Sequence, residues 1–140
     1  MSETLNLHQV PETTTLHRAL WAGRIMSAFV VTALVADGTI QLFAPAQIAS
    51  ILRETGFAID LTRVLGPIVL ACAILYAIPA TAVLGAILVT GFLGGAICAH
   101  VRIGELGSQP EIISLLLGVM TWGGLYARDP RIRALLPLIH

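Results

Sequence analysis

Four long apolar stretches, at residues 20–43, 61–78, 80–100 and 112–127, leave almost none of this chain for a water-soluble domain. A helix needs about 20 mostly apolar residues to cross a hydrocarbon core of roughly 30 Å. The first and third stretches meet that length, and the second and fourth fall a few residues short. Lipid cannot satisfy exposed backbone polar groups, so such stretches cross as helices. Hydrophobic residues make up 56% of the chain and charged ones 11%, where a soluble domain carries about a quarter charged residues. The sequence therefore predicts an all-α fold, a membrane-spanning four-helix bundle over residues 19–140 in contact with the lipid bilayer. Residues 1–18 are polar and Thr-rich and are expected to form a disordered tail.

The apolar run at 25–35 follows Arg18 and Arg24 as a secretory signal would. The segment ahead of it is long and mixed in charge, and three further stretches follow, so the run reads as an uncleaved first span. Eight arginines balance eight acidic residues, which gives no reason to expect a nucleic-acid partner. The chain has no lysine, which removes Schiff-base chemistry. Cys72 and Cys98 fall inside spans without metal-ligand spacing, so no metal site is expected.

Between the first two spans, Pro45 suits a helix start and Gly56 a helix stop. Ile48, Ile51 and Leu52 share a face there, which predicts a short interfacial helix lying along the membrane surface. Pro79 forces a tight turn between spans two and three. With four spans, Arg18, Arg24, Arg128, Arg131 and Arg133 share one side, against Arg53, Arg63 and Arg102 on the other. That bias places both termini in the cytoplasm. In span three, Ala82, Ala86, Thr90 and Gly94 recur every four residues beside a second stripe of Gly91, Gly95 and Ala99. Small residues let helix backbones approach closely in lipid, so both stripes are expected to pack inside the bundle.

Charges inside a membrane cost about 2.5–3.5 kcal/mol each, so such residues tend to be paired or functional. Toward the outer side lie Asp37 and Gln41, late in span one and one helical turn apart. Asp60 and Arg63 open span two, and His100 and Arg102 close span three. Asp37 is about six residues inside the span's end, roughly 9 Å at helical rise. Asp37 and His100 are the catalytic candidates, and Asp37, Gln41, His100, Arg102 and Arg63 the candidate polar contacts of an apolar ligand. The bland reading is that Asp60–Arg63 is a helix-start pair and that His100 only ends its helix at the water boundary. Toward the inner side, Arg24 pairs with Asp129 or snorkels to the headgroups, while Trp122 and Tyr126 suit the aromatic belt.

With these spans in place, the chain resembles the DoxX-like family of small bacterial four-helix integral membrane proteins. The resemblance rests on Trp21-Ala-Gly-Arg-Ile25, Asp37-Gly-Thr-Ile-Gln-Leu-Phe43, the turn at Pro79 leading into Thr81-Ala-Val-Leu-Gly-Ala86, Gly94-Gly-Ala96, and His100-Val-Arg102. Trp122-Gly-Gly-Leu-Tyr-Ala-Arg-Asp-Pro-Arg-Ile-Arg133 extends it to the last span. Relatives commonly carry Lys where this chain has Gln41, so Asp37 lacks the partner that would neutralise it. The resemblance implies a multi-pass protein of the bacterial inner (cytoplasmic) membrane. It further implies a respiratory or redox-associated subunit, with a quinone or other apolar ligand near the outer face. A membrane oxidoreductase partner or a homo-oligomer would accompany that role, since no haem-ligand pair or flavin motif is present. Two other readings stay open. One is a structural or assembly protein without catalysis. The other is a small membrane enzyme using Asp37 as acid or base on a lipid-soluble substrate.

Overall fold

In a computed structural model of the chain, the description covers residues 10–135, with side chains over 17–134. Every regular element in that range is helical. Helix α1 (Val10–Phe43) is followed by a 3-10 turn at Pro45–Ile48, the short α2 (Ala49–Glu54) and a second 3-10 turn at Ile59–Leu61. Then come α3 (Thr62–Ala77), α4 (Ala82–Arg102), α5 (Gln109–Arg128) and the short α6 (Pro130–Leu135). Four segments are long and apolar enough to cross a membrane: His17–Phe43, Ile59–Ala77, Ala82–Arg102 and Gln109–Arg128. Helix α1 begins at Val10, inside the segment 1–18 expected as a tail. A proline in the first turn forfeits only an N–H that a helix start leaves unpaired, so Pro11 does not prevent this extension. The rest of that segment lies outside the described residues.

The long helices form a ring in which α1 and α4 each pack on both α3 and α5. Their outward faces are apolar: Ile25, Phe29, Leu115, Leu116 and Val119 are all more than half exposed. In water such a surface would be an aggregation liability; around a bilayer-spanning bundle it is the lipid contact.

Close approach is arranged by glycines. A Cβ on Gly23 would lie 2.8 Å from Ala127 Cβ, and one on Gly124 would lie 2.8 Å from Ser27 Oγ, so α1 and α5 meet backbone to backbone. Gly38 and Gly66 do the same for α1 and α3, against Leu70 and Leu42. Gly85 is the tightest, since a Cβ there would collide with the backbone N and Cα of Tyr76. The turn at Pro79 holds this contact, with Thr81 Oγ1 donating to Leu75 O at 2.8 Å.

The expectation for span three needs correction. Ala82 and Ala86 are buried as expected, but nothing lies within 4 Å of a Cβ on Gly91, Gly94 or Gly95. Small residues permit close approach without compelling it. The helices meet where Gly85 closes the short turn, while Gly91 and Gly95 lie on an exposed face of α4 whose other side buries Val89 and Leu93. Trp122 Nε1 donates to Thr90 Oγ1 at 2.9 Å and ties α5 to α4. A buried polar knot that the sequence did not announce crosses three helices. Tyr76 Oη donates to Thr121 O at 2.8 Å and receives Ser27 Oγ–H at 3.0 Å. Arg128 donates to Tyr76 O at 2.9 Å and covers the ring, 4.9 Å from its centroid.

Replacing Gly85 by Ala should lower stability by about 1–3 kcal/mol through overpacking against backbone. The same change at Gly91 or Gly95 should leave the monomer's melting temperature in detergent unchanged, and thermal unfolding of the three variants checks this. Tyr76→Phe should cost about 1 kcal/mol, the usual worth of an interhelical hydrogen bond in a membrane protein. Equal melting of Tyr76→Phe and the parent protein would refute the knot's contribution.

Candidate functional site

Opposite the glycine-welded end, a cavity of about 440 Å³ opens between α1, α4 and α5. Its walls are apolar, from Leu34, Leu65, Phe92, Leu93, Ile113 and Leu117. The loop helix forms its cover. Ile48, Ile51 and Leu52 of the turn and α2 line the cavity together with Thr55 and Phe57. The apolar face expected on the membrane surface is thus spent in part on the cavity, and Leu52 is buried.

The polar groups of this lining come from residues far apart in sequence. Asp37 and Gln41 project from α1 one turn apart, and Gln41 Nε2 donates to Asp37 Oδ2 at 2.7 Å. His100 enters from the last turn of α4, its Nδ1 2.9 Å from Ala96 O. Gln109 and Ser114 contribute from α5. Gln41 and His100 are buried, at 6% and 7% exposure, yet Gln41 Oε1 has no hydrogen-bond partner. A buried unsatisfied acceptor costs about 1–3 kcal/mol.

Three of the five sequence candidates therefore meet at one cavity: Asp37, Gln41 and His100. Arg102 and Arg63 do not line it. Arg102 reaches past the end of α4 to donate to Thr55 O, and its guanidinium lies 5.7 Å from the centre of the Phe57 ring. It clamps the cover, because a long cation at a helix C-terminus can reach a neighbouring carbonyl more readily than a dry pocket. Gly56, at φ +75°, makes the bend that presents that carbonyl. Arg63 sits exposed in the first turn of α3. Sequence reasoning missed Ser114, Gln109 and the covering residues. The i, i+3, i+4 face of Ile48, Ile51 and Leu52 was the signal, but nothing in the sequence says which surface such a face will cover.

The inner-side expectations also resolve. Arg24 is exposed and lies 5.8 Å from the Trp21 ring centre, while Asp129 Oδ1 accepts from the backbone N–H of Arg131 and starts α6. Their expected pairing is replaced by local contacts, which fits the snorkelling alternative for Arg24. Among the described residues no group of three or more His, Cys, Asp or Glu could hold a metal ion. Cys72 is buried and Cys98 exposed, both as free thiols. A second, more open groove between α4 and α5 is lined by Gly94, Leu115, Gly118 and Val119 and lacks a carboxylate or imidazole.

Four apolar helices around a partly polar cavity define a multi-pass membrane protein. The chain belongs to the DoxX-like family, whose model matches residues 25–124. No curated protein and no solved structure gives a match.

The clamp predicts a measurable effect on access. Replacing Arg102 with Gln removes both the ring contact and the charge-assisted bond to Thr55 O. With Ala96→Cys as reporter in a Cys98→Ser background, thiol modification inside the cavity should speed up several-fold. An unchanged rate would show that the cover does not depend on Arg102.

Proposed function

We propose that this DoxX-like membrane protein is a respiratory or redox-associated subunit that binds an apolar ring ligand of the quinone class in the cavity beneath α2. The carrying observation is the pairing of an apolar chamber of about 440 Å³ with an unsatisfied, buried Gln41 Oε1 beside Asp37, and with His100 on another helix. Apolar walls with a few placed polar groups are what a small-molecule site requires. The volume suits a ring and the start of its hydrocarbon tail, the remainder of which can leave through the lipid-facing seams. The polar residues could instead serve purely to hold helices together. That reading accounts for Tyr76, Ser27 and Arg128, whose hydrogen bonds are internal, but leaves the polar groups of the cavity without a purpose.

In this proposal the chain binds and positions the ligand and exchanges protons with it through Asp37 or His100. Electrons pass to or from a partner oxidoreductase. The arginine bias puts the cavity near the outer face of the bacterial inner membrane, with both termini in the cytoplasm.

Mass spectrometry of molecules that co-purify with detergent-extracted protein tests the reading. A quinone-class ligand should appear near one per chain in the parent protein and be depleted at least several-fold in Asp37→Asn at equal yield. Bulk phospholipid alone in both samples would refute the proposal and favour the assembly role.

A further inference from the structure

The open groove between α4 and α5 adjoins the chamber, because Leu93 and Ser114 line both spaces. Across the seam from Leu93 stands a glycine. A Cβ on Gly118 would lie 4.0 Å from Leu93 Cδ1, and nothing lies within 4 Å of a Cβ on Gly94. The groove, of about 550 Å³, extends from this junction along residues 90–97 of α4 and 114–123 of α5. Those segments are the middle portions of the spans Ala82–Arg102 and Gln109–Arg128, and they measure roughly 10–14 Å at helical rise. The groove therefore leads from the chamber into the hydrocarbon depth of the membrane, away from the cover at α2.

Its chemistry suits hydrocarbon. Apart from Ser114 at the junction, the polar side chains of its lining are Thr90 and Trp122, and these are engaged with the protein. Trp122 Nε1 donates to Thr90 Oγ1, whose own hydroxyl donates to Ala86 O at 2.8 Å. A groove whose polar groups are spent in this way cannot fix a headgroup, since orientation in a small-molecule site comes from a few placed polar groups. The groups that can do so, Asp37, Gln41 and His100, line the chamber. A free acyl chain of the bilayer gains little by entering, because lipid is as apolar as the groove. A chain tethered to a head already held in the chamber differs. The tether delivers it to the junction at a high effective concentration, so even a small gain in packing fills the groove.

We propose that the α4–α5 groove seats the hydrocarbon tail of the chamber's ligand, which leaves the chamber past Leu93 and Ser114. This inference rests on the ligand-binding reading above, and it makes the ligand a ring that bears a long chain. The test measures binding of two benzoquinone probes, one with a methyl and one with a decyl chain, to the protein in phosphatidylcholine nanodiscs. Gly94→Phe fills the groove at a position where a new side chain starts in open space. The parent protein should bind the decyl probe several-fold more tightly than the methyl probe. Gly94→Phe should lose that preference and bind the methyl probe as before. Partition into lipid is the same for both proteins, so it cancels from the comparison. A parent protein without the preference, or a preference that survives in Gly94→Phe, would overturn the tail seat. Either result would leave the ligand-binding reading standing and give the groove to bilayer acyl chains. Absence of binding by both probes to the parent protein would overturn both. Should Gly94→Phe fail to insert, a decyl probe with a diazirine at its chain end decides on the parent protein. Cross-links within residues 115–123 would support the seat, and cross-links confined to α1 and α3 would overturn it.

Discussion

Everything in this bundle depends on where backbones can touch. Lipid gives helices no hydrophobic reason to associate, so cohesion comes from close packing and a few interhelical hydrogen bonds. Here those contacts are distributed unevenly. Gly23 and Gly124 join α1 to α5, and Gly85 presses α4 onto the backbone of Tyr76. The Tyr76–Ser27–Thr121 knot and Arg128 lie toward the same end. At the other end Gly38 and Gly66 join α1 and α3. There α1, α4 and α5 leave the cavity between them.

Residues of α2 and the turns beside it cover part of this cavity. Their apolar side chains complete the chamber wall, and the bend at Gly56 brings Thr55 O within reach of Arg102. The cover is held mainly at its edge, by one buried leucine and one arginine clamp, not by broad packing on the bundle. Local elements of that kind open at lower cost than the core. Asp37, Gln41 and His100 thus lie at the lightly held end of the bundle, beneath this cover.

The four spans were legible because membrane crossing imposes a length and a composition that few other constraints imitate. Asp37, Gln41 and His100 were legible for a related reason: alternating topology brings the end of span one and the end of span three to the same depth. Arg102 was placed at the right depth and given the wrong partner, since depth says nothing of which way a flexible cation turns. Gly85 illustrates the other limit. Its sequence surroundings are no more suggestive than those of Gly91 or Gly95, and only the three-dimensional path after Pro79 distinguishes a contact from open space. Tyr76 was invisible as a hub because its partners come from helices whose rotation the sequence does not specify.

Gln41 ties these strands together. A lysine at that position would neutralise Asp37 and give the pair a donor pointing outward. An amide gives one hydrogen to the carboxylate and turns its own oxygen, without a partner, into a dry wall. Where a lysine would make a self-contained ion pair, glutamine leaves one acceptor without a partner. Burial makes that incompleteness costly, and the cost is what a ligand can relieve. Gln41 therefore bears on the polarity of the cavity wall, while the packing of the helices follows from the glycines and does not depend on it.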